Sequence, residues 1–194
     1  MKSHSVLAED LIRMSGVWHD RLETFQLDGA PLPLDEFSGT PGSSPWENLV
    51  YLHCDGERYV QTNVTFRGRP LHVRTMTGRI QDGILRFDRL GPKDPGHVGV
   101  SGGEGVIIYT SERLEAASDV YSEPDLIHLG ADRRTRHTFL YRKGVLVRTL
   151  RVAGHRIAAA ADRRVSLDPR GLDGPVHEER SVTHVFEKGN SHDH

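Results

Sequence analysis

A chain of 194 residues, 36% of them hydrophobic and 27% charged, has apolar material for one domain with a substantial core and is short for two. Its net charge of −2 excludes a broad electrostatic attraction for nucleic acid or an anionic membrane, and no stretch approaches the roughly 18 apolar residues of a membrane span. The single cysteine, Cys54, excludes an intrachain disulfide and favours a reducing compartment. With no apolar run of a signal peptide at the N-terminus, the expected location is the cytoplasm.

Residues 5–14 place Leu7, Leu11 and Met14 at helical spacing, with Ser5 as cap and Glu9 and Asp10 in the first turn. Gly16-Val17-Trp18 then opens a strand that runs to Leu27. Trp18, Asp20, Leu22 and Thr24 lie on one side of it, and His19, Arg21, Glu23 and Phe25 on the other. Asp28-Gly29 ends that strand. Residues 30–45 are rich in Pro, Gly and Ser, a loop length that is uncommon unless functional or disordered.

From Trp46 the pattern is a series of hairpins: 48–54, 58–66, 70–80 and 84–90, turning at Asp55-Gly56, Arg67-Gly68 and Asp82-Gly83. Residues 91–105 read as a glycine-rich connection, and they are no phosphate-binding loop because no Gly-Lys-Ser/Thr follows. Strands resume at 106–114, 117–122, 125–129, 134–141 and 145–152. A turn at Ala153-Gly154 leads to 155–161, and a polar stretch precedes a last strand at 181–187. The expected organisation is one domain over 1–188 with a disordered tail at 189–194.

No helix is long enough for a crossover between parallel strands, so the strands are antiparallel neighbours. The expected fold is all-β: a meander of about eight to ten strands closed into a barrel, which removes the sheet edges, with a short N-terminal helix. A two-sheet sandwich would need longer connections.

Gly16-x-Trp18 after a short helix resembles the signature of the lipocalin/calycin barrels, and the chain as a whole resembles uncharacterised cytoplasmic bacterial lipocalin-like families. The resemblance implies a helix closing the barrel base and Trp18 packed beneath a cavity. It also implies a late-strand arginine, Arg148 or Arg151, stacked on Trp18, and loop 30–45 as a lid. A second lipocalin motif, Thr-Asp-Tyr, is distorted in Ser118-Asp119-Val120-Tyr121, and the glycine-spaced first strand of nitrobindin-like haem barrels is missing.

Taking the more apolar side of each strand as inward gives Val50, Leu52 and Cys54; Thr62, Val64 and Phe66; and Leu71, Val73 and Thr75. It continues with Leu85 and Phe87; Ile107, Tyr109 and Ser111; Ile127 and Leu129; and Thr135, His137, Phe139 and Tyr141. Strand 145–152 is ambiguous between Leu146, Arg148, Leu150, Val152 and the alternate set. A slip of one residue would exchange any strand's two sides.

An apolar pocket with a few oriented polar groups is the pattern of a small-molecule site. No metal spacing, nucleophile elbow or dinucleotide motif is present, so no metal and no cofactor is expected. Several intracellular barrels of this resemblance are isomerases, cyclases or lyases. The expected function is therefore a cofactor-independent isomerase, cyclase or lyase acting on a hydrophobic small molecule, with a non-catalytic carrier or sensor as the alternative. His137 is the expected acid–base group, Tyr109 and Tyr141 the hydrogen-bond donors, and Asp20 a further acid if unpaired. Trp18, Phe66, Phe87, Ser111, Phe139 and Arg148 would contact the ligand. Nucleic acid and membrane are not expected partners, and an exposed face with Tyr51 and Met76 leaves room for a homodimer.

Overall fold

A computed structural model describes residues 5–32, 45–66, 72–89, 91, 96–112, 124–142 and 144–159. One helix, α1 (Val6–Met14), precedes ten strands: β1 (Gly16–Phe25), β2 (Trp46–Cys54), β3 (Arg58–Phe66), β4 (His72–Gln81), β5 (Ile84–Phe87), β6 (His97–Gly103), β7 (Val106–Ser111), β8 (Pro124–Leu129), β9 (Arg133–Arg142) and β10 (Val145–Ala159). Each strand pairs antiparallel with its sequence neighbour, and β10 pairs back onto β1 to close the barrel. The all-β barrel with a short N-terminal helix is as the sequence implies. Two elements differ. Strand β6 occupies part of the stretch read as a glycine-rich connection, and β10 runs unbroken through the expected turn at Ala153-Gly154. The expected strands at 117–122 and 181–187, the tail, and most of the expected lid lie outside the described residues.

Helix α1 forms where the sequence places its signals. The Ser5 hydroxyl accepts the Ala8 N–H at 3.3 Å, with Glu9 in the first turn and Arg13 in the last. Its apolar stripe, Leu7, Leu11 and Met14, is fully buried at one end of the barrel with Trp18, Leu52, Leu85 and Ile107. Two polar contacts fix the helix there. The Cys54 N–H donates to Ser15 Oγ at 2.9 Å, and the Gly105 N–H donates to Asp10 Oδ2 at 2.9 Å.

The glycine before Trp18 has a physical reason. Gly16 adopts φ +139°, and a Cβ there would sit 2.5 Å from the Ala158 carbonyl oxygen. The β1–β10 register shifts between Val17 and Trp18. A bulge of this kind re-aims the next side chain, here the indole of Trp18 into the lumen.

Residues directly opposite in the ladder share a face, so the register identifies the inner wall. The expected inward sets hold on β1, β2, β5, β7 and β8. On β10 the ambiguity resolves to Arg148, Leu150 and Val152, with a register shift that sets Leu146 opposite Tyr141. Strands β3, β4 and β9 are the reverse of expectation. Tyr59, Gln61 and Asn63 stand opposite Cys54, Leu52 and Val50 and face inward. Arg74 and Met76 follow them, leaving Val73 and Thr75 exposed outside. On β9 the inward residues are Arg134, Arg136, Thr138 and Leu140, so His137, Phe139 and Tyr141 are on the outer wall. The outer wall also carries its own buried apolar cluster, Val17, Leu49 and Val64 packed with Tyr51 and Ala158. Apolarity therefore does not mark the lumen on these strands.

Gly154 explains why β10 holds a glycine in mid-strand. A Cβ there would lie 2.3 Å from Asp20 Oδ1 and 2.9 Å from Arg134 Cγ. Gly154→Ala should lower stability by about 3 kcal/mol, the combined effect of overpacking and a displaced buried ion pair. Gly91→Ala, with open space around it, should be near neutral, and urea denaturation of the two variants checks the contrast.

Candidate functional site

At the α1 end, the Trp18 Nε1–H donates to the Met14 carbonyl at 2.8 Å, ending the helix on the indole. The guanidiniums of Arg134 and Arg156 each lie 4.8 Å from the Trp18 ring centroid. The stacking arginines are thus these two, not Arg148 or Arg151; Arg151 instead covers Phe25 at 4.5 Å. Arg156 also donates to the carbonyls of Arg13 at 2.7 Å and Ser15 at 3.4 Å, at the negative end of the helix dipole. Asp20 is inward but occupied: Arg134 Nε and Nη2 reach its two oxygens at 3.2 and 2.7 Å, and both side chains are buried. Its role here is counter-charge to Arg134.

Further from the helix, two phenols meet across the lumen. Tyr59 on β3 and Tyr109 on β7, four strands apart around the barrel, bring their hydroxyl oxygens to 3.1 Å. The Tyr59 O–H donates in a short bond to Gln61 Oε1, and Gln61 Nε2 donates to Asn63 Oδ1 at 2.8 Å. The Phe87 ring stands edge-on to both, with centroids 5.5 Å from Tyr59 and 5.4 Å from Tyr109. Gly99 makes room for Tyr109, since a Cβ would touch its ring at 2.9 Å. Burial, above all, pushes both phenols well above their ordinary value of 10.0; for Tyr109 the neighbouring phenol adds to this, and Arg134 opposes it in both. Both remain neutral throughout the physiological range.

The inner wall changes character at this bridge. On its α1 side are the packed apolar residues already described, with the Asp20–Arg134 pair and Arg156 against Trp18. On the other side the inward positions are Asn48, Asn63, Ser111, Asp125, Thr138 and Arg148, with Leu140 and Leu150 beside them. Asp125, in register with Tyr109, accepts a short hydrogen bond from Thr138 and lies 3.6 Å from Arg136. Asn48 Oδ1 and Ser111 Oγ are buried without a hydrogen-bond partner among the described residues.

Of the expected site residues, the structure brings Trp18, Phe87, Tyr109, Ser111 and Arg148 to the inner wall. It does not bring His137, Tyr141 or Phe139. His137 is exposed between Leu126 and Arg151, Phe139 is 36% exposed, and Tyr141 stands opposite Leu146 outside. Phe66 is the last residue of β3, opposite Glu47, and its side chain lies outside the described part. Tyr59, Gln61, Asn48, Asp125, Thr138, Arg134 and Arg136 are inner-wall residues that apolar patterning passes over. Two of them carried a readable signal: period-2 spacing sets Asp125 on the side of Ile127 and Leu129, and Asn48 on that of Val50 and Leu52.

Among the described residues no group of three or more His, Cys, Asp or Glu is placed to hold a metal, and no helix is long and apolar enough to cross a membrane. Cys54 is buried, and burial pushes its thiol up to about 11.

No family model matches the chain, and a search of curated proteins finds no match. Solved structures do share the fold. One, from Nostoc punctiforme, is a protein of unknown function from the DUF3598 family, 18% identical with a TM-score of 0.57 over 76% of this chain and 49% of the other. The chain thus spans about half that protein's length. Another is an S-type phycobiliprotein lyase from Guillardia theta, 7% identical with a TM-score of 0.51 over 76% of this chain and 90% of the other. The likeness is one of fold alone.

Asp20→Asn should cost about 3–5 kcal/mol by leaving Arg134 buried without its counter-charge, and Asp20→Leu with Arg134→Met should recover most of that; denaturation midpoints of the single and double variants check it. For Cys54 the neutral thiol is favoured in the folded state. Its contribution to stability is therefore complete below the ordinary value of 9.0 and declines as pH rises from there towards about 11. Labelling by iodoacetamide at pH 8 should be on the order of a hundredfold slower in the native protein than in urea.

Proposed function

We propose that this chain binds a small organic molecule in the half of the lumen away from α1, seated against the Tyr59–Tyr109 bridge. The observation that carries the reading is the set of polar inner-wall groups beyond that bridge, Asn48, Asn63, Ser111, Asp125 and Thr138, beside the apolar cluster of Leu22, Leu140, Leu150 and Val152. A barrel filled for stability alone would stay apolar there, because a buried polar group without a partner costs about 1–3 kcal/mol. Oriented polar groups beside an aromatic wall are how small-molecule sites are built. The fold likeness to a protein named a phycobiliprotein lyase agrees with this reading and lends the lyase class some weight. The ligand is amphipathic: Phe87, Leu140 and Leu150 suit an apolar body, and the amides, hydroxyls and carboxylate suit polar substituents.

If the barrel is a cofactor-independent isomerase, cyclase or lyase, its acid–base work falls to Asp125, with Tyr109 as the adjacent hydrogen-bonding group. His137 has no part in it. A carrier or sensor would use the same contacts without turnover, and it asks less of these residues, because both phenols hold their protons tightly.

Native mass spectrometry of protein purified from its own host supplies the ligand, and equilibrium dialysis then compares variants. His137→Phe should bind like wild type, whereas Tyr109→Phe should bind about five- to tenfold more weakly, the loss of one hydrogen bond. Loss of binding in His137→Phe with retention in Tyr109→Phe would move the site to the outer wall and end this reading.

A further inference from the structure

We infer that the ligand is rich in hydrogen-bond donors, carrying N–H or O–H groups on opposite sides of an aromatic body, and that Asn48 and Ser111 select it. The inference rests on the ligand-binding reading above and adds the chemical class. It comes from counting protons on the inner wall. Asn48 Oδ1 is an amide oxygen and can only accept. It is buried, at 8% residue exposure, and no hydrogen bond reaches it among the described residues. Ser111, 5% exposed, also has its Oγ buried with no hydrogen bond among the described residues, and its hydroxyl can accept from a ligand or donate to one. Strands β2 and β7 are five steps apart in either direction around the closed barrel, so the two unmet groups stand on opposite walls.

The phenol bridge between them has a direction. Tyr59 has one proton, and it goes to Gln61 Oε1. The 3.1 Å bond between the phenols must then be donated by Tyr109, whose oxygen is left with lone pairs and no proton for a ligand. Gln61 passes its own N–H on to Asn63 Oδ1, so the relay runs Tyr109, Tyr59, Gln61, Asn63. Asp125 is a further acceptor, 3.6 Å from Arg136 Nη1. The acceptors among these groups, Asn48 Oδ1, the Tyr109 oxygen and Asp125, are matched by donors on the ligand. A molecule bearing only ether or carbonyl oxygens would leave Asn48 unmet and set its lone pairs against those of Tyr109. The Phe87 and Tyr109 rings supply the aromatic surface for its body.

The test uses two probes with the same ring, 2,7-dihydroxynaphthalene and 2,7-dimethoxynaphthalene, titrated calorimetrically into the full chain. The diol should bind about tenfold more tightly than the diether. Asn48→Ala and Ser111→Ala should each shrink that preference to about threefold or less. Asn48→Asp, which keeps an acceptor at that position, should retain the preference. Equal binding of both probes to wild type would overturn the donor class and leave the binding site standing, as would a preference that survives both alanine variants. Binding of neither probe would overturn the site and the inference together.

Discussion

The barrel's closure depends on the stack of Trp18 with Arg134 and Arg156. The indole comes from β1 and the two guanidiniums from β9 and β10, while the indole N–H and Arg156 both bind carbonyls at the end of α1. One contact therefore joins the first element of the chain to the last two described strands. Each cation–π pair contributes about 0.5–2 kcal/mol, modest beside the burial of Leu7, Leu11, Met14 and Trp18 in the same layer. What the stack adds is position. A one-residue slip of β10 on β1 would turn Arg156 and Gly154 outward. That would leave Asp20 facing a side chain where it now needs none. The bulge at Gly16 and the missing Cβ at Gly154 are the two backbone conditions for this arrangement.

Burying those guanidiniums carries a desolvation cost that hydrophobic packing alone would avoid. Asp20 offsets it for Arg134, and the helix-end carbonyls offset it for Arg156. The charges are thus matched within the base itself, and the layer acts as a closed floor to the lumen.

The fold was legible because turn chemistry and the absence of crossover helices constrain topology strongly. The strand faces were legible only where the lumen is apolar. On β2, β5, β7 and β8 the inward side is the more hydrophobic, and the rule of alternation finds it. On β3, β4 and β9 the inward side holds Tyr59, Gln61, Asn63, Arg74, Arg134, Arg136 and Thr138, while the outer side of β3 adds Val64 to a buried cluster with Val17 and Leu49. There the rule selects the wrong side, and it sets His137 in the lumen when the structure has it on the outer wall. Charge matching would have served better: Asp20 and Asp125 sit on inward sides, and the Arg134/Arg136 side of β9 supplies a cation to each.

The phenol bridge limits what the lumen can do. Burial pushes the inner-wall phenols and Cys54 up, so these three hold their protons near neutral pH, and Asp20 and Asp125 each lie beside a guanidinium. The described histidines with the clearest ionic neighbourhood are outside, His19 at 3.1 Å from Glu47 and edge-on to His155 at 5.0 Å. General acid–base chemistry works best with a group poised near the working pH, and the inner wall is arranged otherwise. Its resources are fixed lone pairs and a one-way chain of hydrogen bonds across the barrel. Such a wall discriminates by matching donors to acceptors. Any chemistry at the proposed site would then come chiefly from the conformation imposed on a bound molecule, with Asp125, in register with Tyr109, the carboxylate placed to assist.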